Sequence, residues 1–504
     1  MIVDIIIEKD RCRHWLFYLE GSLKRSSSLN VRFVFVRPLP PLPKPVSYLL
    51  SFERKTLRHR ANCGSDPIDV NCFKTRDEDT EDADWTIDFT VGGVTSAKGR
   101  TLRVLYNGAP GEDALCSTLL NSGTPLIEVI DQGEERVIAQ GTASLEAAEG
   151  LGGAMEAVYS RVCALINRIL NGIYDDYPPS VPCNYSPITT KKVAKRALRQ
   201  SARTAIQSLY KASCYTSHWR VGWRFCKDGV ADRQDLKGEE WKVLPSPHDH
   251  FYADPFPFEK DGKYYVFFED LNHATQKGVI SVVEVTREGQ TSAPRTVLEE
   301  DWHLSYPFVF EMGDGIWMIP ESSTNREIAL YRAIEFPNHW ERHCTLLADI
   351  EAADATLIDH DGRLWMFTVV RDGVGGYSDM LNIYHADNLV GPWIPHQCNP
   401  VLVDDRTARP GGRMFHKNGT LWRPFQNCRG GYGTGLGLAT IDELSPSSFR
   451  QSIQTVLFPN SHWPGRKFHT LNRTGPLEVI DGCIYHPKSE TLAQIARKFY
   501  RPGA

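Results

Sequence analysis

Asp254-Pro-Phe-Pro-Phe-Glu-Lys-Asp-Gly-Lys-Tyr-Tyr-Val-Phe-Phe-Glu269 decides the fold. It reads as an apolar strand, an Asp-Gly turn and a second, aromatic strand. Two-residue hairpin loops need left-handed backbone at both central residues, and Asp-Gly supplies it at little steric cost. Val279-Ile-Ser-Val-Val-Glu284 adds a third strand. The unit then returns. Tyr306–Phe310, Ile316–Glu321 and Ile328–Tyr331 form a second copy; Asp354–Ile358, Leu364–Thr368 and Leu381–His385 form a third. Arg413–Phe415, Thr420–Pro424 and Gly435–Ala439 form a fourth, and His469–Leu471 with Leu477–Ile480 begins a fifth. Asp261-Gly262, Asp314-Gly315, Asp361-Gly362 and Asn418-Gly419 mark the same turn in four copies. A three- or four-stranded repeat of about 50 residues is the signature of a propeller. The expectation is an all-β, five-bladed β-propeller over residues 217–495, with a strand from 217–245 completing the last blade.

Outward from the repeat the character changes. Residues 1–175 read as an α/β, Rossmann-like domain, with strands at Ile2–Ile7, Val31–Val36 and Leu102–Leu105 and helices at Arg11–Leu23 and 145–173. Residues 176–216 read as a linker. It opens with Tyr177-Pro-Pro-Ser-Val-Pro182 and continues into a basic amphipathic helix over 189–212, whose cations are either a solvated face or a peripheral membrane contact. The chain is therefore multidomain.

The net charge of -5 gives no electrostatic reason to expect nucleic acid. No apolar run reaches the roughly 18–20 residues that cross a bilayer. Met1–Asp10 lacks the basic and long apolar regions of a secretory signal. Twelve cysteines without a C-x-x-C pair read as reduced thiols, and a cytoplasmic setting is expected.

Inner strands of a propeller line a central funnel. The residues opening them are Asp254, Tyr306, Asp354, Arg413 and His469, four of them ionisable; Glu269 and Glu321 close two second strands. Carboxylates, an Arg and a His around one cavity are the parts of glycoside chemistry, in which one carboxyl protonates a leaving oxygen and another activates water or attacks the sugar. An Arg can grip a substrate carboxylate or phosphate with two parallel bonds.

Ala253-Asp254-Pro255, Phe267-Phe268-Glu269 and the repeat length resemble the five-bladed arabinanase/β-xylosidase/levansucrase superfamily. His303-Leu-Ser-Tyr-Pro-Phe-Val-Phe-Glu311, Ile319-Pro-Glu-Ser-Ser323, Leu330-Tyr-Arg332 and Phe336-Pro-Asn-His-Trp340 resemble the N-terminal domain of plant glucosamine inositolphosphorylceramide transferases and its bacterial relatives. The likeness covers about residues 240–485, and the plant proteins' C-terminal domain, to which transfer is ascribed, has no counterpart here. The superfamily resemblance implies Asp254 as base and Asp354 as the acid's orienting partner. It implies a Glu acid in blade four, where this chain has Arg409-Pro-Gly-Gly-Arg413 instead; Glu321 is the substitute candidate. Glu269, Tyr306, Arg409, Arg413 and His469 are expected to bind substrate. No cofactor is required, although the resemblance allows an axial metal ion near His469.

The N-terminal domain weakly resembles a formyltransferase, whose chemistry needs an Asn, a His and an Asp. Here no His lies between His59 and His218, while Leu105-Tyr-Asn-Gly-Ala-Pro-Gly-Glu-Asp113 keeps Asn107 and Asp113. The domain is therefore expected to be non-catalytic. Without a G-x-G-x-x-G or a P-loop, no dinucleotide or ATP site is indicated. The leading reading is a carbohydrate-active enzyme, a glycoside hydrolase or glycosyl-transferring protein. It would act on a glycan or glycoconjugate in bacterial surface polysaccharide or glycolipid metabolism. A glycan-binding propeller without turnover and a protein-interaction scaffold are the alternatives.

Overall fold

The computed structural model describes all residues except 27–28, 38–41, 58–62, 77–80, 95–98, 122, 179–186 and 502–504. Part of the Pro-rich segment after Val36 and most of the expected Pro-rich linker lie outside the described residues. The chain divides into two compact units, residues 1–205 with 372–376, and residues 206–371 with 377–504.

The second unit contains five antiparallel sheets, four of four strands and one of five. Blade one runs His250–Lys260, Lys263–Asn272, Lys277–Val285, Arg295–Leu298. Blade two runs from Ser305–Met312 to His339–Ala348, and blade three from Ala352–His360 to Leu402–Val403. Blade four begins with the short inner strand Phe415–Lys417 and ends at Phe449–Leu457. Blade five takes Leu471–Thr474 and Leu477–Pro487 from the end of the chain and Cys214–Phe225 and Lys242–Val243 from before blade one. Leu477 pairs with Phe225 and Cys483 with Trp219, so the ring is closed by a sheet built from both ends of the repeat. Phe and Trp side chains facing between blades form the cores, such as Phe308, Trp317 and Met366 between blades two and three.

Asp261-Gly262, Asp361-Gly362 and Asn418-Gly419 all have positive φ at both residues, as the hairpin reading requires. Blade two differs: Met312 pairs with Gly315, so its loop is Gly313-Asp314, with Gly313 at φ 61. The Asp314-Gly315 assignment was one residue late, because Gly313 offers the same conformational freedom one step earlier.

In the first unit, Ile2–Glu8 pairs in parallel with Asn30–Val36 and Trp85–Asp88, and Trp85–Asp88 with Arg100–Tyr106. The sheet then turns antiparallel through Leu126–Asp131 and Arg136–Thr142. The doubly wound Rossmann pattern expected from the sequence is not evident: this is a mixed sheet ending in a hairpin. Asn107 accepts from the Leu126 N–H (2.9 Å) and donates to Thr118 (3.2 Å), while Asp113 pairs with Arg11 (3.3 Å). Both residues carried over from the formyltransferase resemblance are thus engaged in holding a turn and a helix start.

Candidate active site

Three blades use one device to aim a side chain at the axis. The register of inner and second strands slips between Ala253 and Phe256, between Ser305 and Phe308, and between Ala353 and Thr356. Each slip holds a non-glycine residue in left-handed backbone: Asp254 (φ 50), Tyr306 (φ 42) and Asp354 (φ 57). A bulge of this kind redirects one side chain at a modest backbone cost.

Asp254 is 3 % exposed, and its carboxylate accepts from the Thr470 hydroxyl at 2.6 Å. His469 lies between two acids. Its Nε2 is 3.0 Å from Asp254 Oδ1, and its Nδ1 is 2.9 Å from Asp481 Oδ2. Asp481 is anchored in turn by the backbone N–H groups of His469 (2.8 Å) and Thr470 (3.2 Å). Burial alone would strip the imidazole of its proton. The flanking carboxylates of Asp481 and Asp254 outweigh it and lift the pKa to about 10. Burial pushes the Asp254 carboxyl up, but the His469 imidazolium reverses this and holds it below the ordinary value.

Glu269 goes the other way. Burial, reinforced by the negative charge of Asp254, raises its pKa well above the ordinary carboxyl value. His303 steers it: the Gly278 N–H donates to His303 Nδ1 (3.0 Å), which leaves Nε2–H to face Glu269 Oε1 at 3.3 Å.

Asp354 is held by Arg409 Nε (2.7 Å) and by the Gln426 amide (2.8 Å). Burial still wins over the Arg409 charge, and its pKa is raised to about 6. The Arg409 guanidinium stacks 4.6 Å from the Tyr432 ring centroid. Tyr432 and Trp219 also pack on His469, at 4.9 and 4.2 Å between centroids, giving the funnel an aromatic wall. Glu321 accepts from the Ser305 hydroxyl and the Ser323 N–H, both at 2.8 Å. Tyr306 is buried, its hydroxyl 2.9 Å from that of Thr356.

The structure therefore joins Asp254 and His469 in one network, sets Glu269 where it feels the charge of Asp254, and pairs Asp354 with Arg409. It does not bring Arg413 to these acids. Arg413 donates instead to the Val309 carbonyl and lies over the Phe308 ring. The residue facing Asp354 from blade four is Arg409. Gly411 and Gly412 lengthen the approach to the inner strand, so counting by repeat lands too far along. Gly412 has φ 142, and a Cβ there would strike the Leu471 carbonyl. Asp481, Thr470, Gln426 and His303 were missed. Asp481 stands on blade five's second strand, as Glu269 does on that of blade one, and an acid inside an otherwise apolar strand was the available signal.

Asp254, His469 and Asp481 present ligand atoms within 4.8 Å of one another. Each carboxylate also lies within ion-pair distance of a His469 ring nitrogen, so with the imidazole protonated the cluster is held by charge.

Glucosamine inositolphosphorylceramide transferase 1 of Oryza sativa subsp. japonica is 33% identical over 248 residues, 46% of this chain and 33% of that protein. The Arabidopsis thaliana protein of the same name is 33% identical over 235 residues, 45% of this chain and 30% of its own length. The chain thus spans about a third of these curated relatives. Both are plant proteins, and the bacterial setting expected from the sequence finds no support in them. Among solved structures, the catalytic domain of the Coprinopsis cinerea GH62 alpha-L-arabinofuranosidase matches with TM-score 0.37 and 14% identity, over 51% of this chain and 85% of that one. A GH43_1 enzyme from Xanthomonas citri complexed with xylose matches with TM-score 0.36 and 13% identity, over 49% and 94%. The family match lies wholly within the propeller, so the formyltransferase resemblance of the first unit gains nothing from it. Over residues 243–479 the chain matches the family described as Glucosamine inositolphosphorylceramide transferase 1, N-terminal, the family that Tyr306-Pro-Phe-Val-Phe and Ile319-Pro-Glu-Ser-Ser323 resemble.

Proposed function

We propose that the propeller is a carbohydrate-active enzyme in which Asp254 is the base and Glu269 the proton donor for chemistry at a glycosidic bond. One observation carries this. Two carboxyls in one funnel have their proton affinities driven apart, Asp254 down by the His469 imidazolium and Glu269 up by burial and by Asp254 itself. Opposed environments of this kind give one acid and one base at a single pH. Glu269 takes the donor role in place of Glu321, whose two oxygens are already engaged by the Ser305 hydroxyl and the Ser323 N–H. In this scheme Glu269 protonates the leaving oxygen, and Asp254 takes the proton of the attacking water or hydroxyl. Trp219 and Tyr432 pack against His469, and Arg409 fixes Asp354.

The relatives' name points to glycoconjugates that contain glucosamine or inositolphosphorylceramide. A panel of such compounds, incubated with the protein and read by mass spectrometry, tests the proposal. Cleavage or transfer by the wild type, lost in both Asp254→Asn and Glu269→Gln, is expected. Turnover surviving in either variant removes that residue from its role. A glycan-binding module without turnover is the second reading, favoured by the Arg409 and Gln426 bonds that occupy Asp354. Binding without a product would select it.

We also place the helix Thr190–Ser213 on an anionic lipid surface. It has seven Lys and Arg, no Asp or Glu, and exposed Leu198, Ile206 and Leu209. Co-sedimentation with phosphatidylserine vesicles but not with phosphatidylcholine vesicles is expected; equal sedimentation with both, or with neither, refutes it.

A further inference from the structure

Arg413 is a half-buried cation with no carboxylate partner among the described residues. From the inner side of blade four it crosses to blade two, donating to the Val309 carbonyl, with its guanidinium carbon 4.9 Å from the Phe308 ring centroid. Burial lowers its pKa to about 10. A guanidinium in that setting is costly unless an anion joins it.

A cavity of about 280 Å³ opens beside it, lined by Arg413, Phe415, Lys417, Leu471, Arg473 and Glu478 among others. It lies at the hairpin-turn end of blades four and five, since Phe415–Lys417 leads into the Asn418-Gly419 turn and Leu471–Thr474 into Gly475. Asp254 and Asp354 sit near the opposite ends of their inner strands, so this cavity is not the acid-lined funnel mouth.

Its charges do not balance. Lys417 (3.0 Å) and Arg473 (2.9 Å) share one acid, Asp232. Glu478 is committed to Arg224 at 2.7 Å. Three cations, Arg413, Lys417 and Arg473, thus line the cavity against the carboxylates of Asp232 and Glu478, and Glu478 is already neutralised by Arg224 outside the lining. Phe415, Pro424 and Leu471 supply apolar wall.

We propose that this cavity binds a small organic anion, a phosphate or carboxylate borne on a ring or short apolar body, with Arg413 as its counter-ion. The proposal is independent of the acid–base reading of the funnel. Calorimetric titration of the full chain with phenyl phosphate and with inorganic phosphate tests it. Saturable one-to-one binding of phenyl phosphate is expected, weakened at least about tenfold in Arg413→Met, which keeps an apolar stem on Phe308. Lys417→Gln, at the rim, should weaken it by a few-fold, giving a second reading if Arg413→Met proves unstable. Asp254→Asn should bind as the wild type does. Absence of saturable binding of either probe overturns the proposal. So does binding unchanged in both cavity variants, or binding lost in Asp254→Asn alone, which would put the anion in the funnel.

Discussion

Blades one and three present the same residue in the same strained bulge, yet the two aspartates differ in charge behaviour. Asp254 has φ 50 and Asp354 φ 57, and both are buried. Asp254 is held below its ordinary pKa, while Asp354 is raised to about 6. Each has one cation, His469 or Arg409. Asp254 also receives the short Thr470 hydroxyl bond, whereas Asp354 feels the negative charge of Asp254 and Glu321. Backbone position alone does not make a catalytic carboxylate; the neighbours contributed by the adjoining blades decide its charge.

The largest effect should come from removing the acid–base pair. Asp254→Asn should reduce turnover of a responsive glycoconjugate by about 10²–10⁴-fold while still folding, with a smaller stability loss than His469→Gln because the amide oxygen keeps the Thr470 bond. Asp354→Asn should cost clearly less; equal losses would erase the difference between the blades. Next is His469→Gln, which leaves Asp254 and Asp481 buried without their shared cation. A stability loss of about 3–5 kcal/mol is expected by urea unfolding near neutral pH. Arg409→Met should cost less, about 1–3 kcal/mol, and the cost should shrink on mild acidification, because Asp354 can take up a proton. A cost that does not fall with pH would contradict the raised pKa of Asp354.

The pH dependence of stability sharpens the same contrast. His469 binds its proton more tightly folded than unfolded, so its contribution is complete below about pH 6.5 and is lost as pH rises through about 10. Asp254, with a depressed pKa, contributes above the ordinary carboxylate range and loses that contribution on acidification. Asp354 has the opposite sign to Asp254: its folded pKa near 6 favours the fold at low pH and withdraws that support as pH rises through it. Asp354→Asn should therefore flatten the stability curve between about pH 4 and 7, while Asp254→Asn flattens it at lower pH. The smallest effect should be Glu321→Gln, within about 1 kcal/mol, because the amide can still accept one of the two bonds.

Much of this was legible in the sequence. The hairpin turns gave the blades, since Asp-Gly and Asn-Gly adopt the hairpin backbone in three of the four copies and blade two turns one residue earlier. Asp254, Glu269 and His469 were found from their places in the repeat. Arg413 was misplaced because Gly411 and Gly412 lengthen one blade locally, and a period carries no information about an insertion. Asp481 and Thr470 escaped because their roles come from blade closure, which sets them beside Asp254 across 227 and 216 positions of sequence. The proton affinities were not legible at all. They depend on burial and on charges from neighbouring blades.

The account turns on Glu269 being protonated beside an ionised Asp254. Infrared difference spectroscopy of the unliganded protein tests this most directly, about two pH units above the value near 6 of Asp354 so that Asp354 is silent. A protonated carboxyl band that vanishes in Glu269→Gln and persists in Asp254→Asn is the predicted result. A band that survives in Glu269→Gln, or that disappears in Asp254→Asn alone, would contradict the assignment of acid and base.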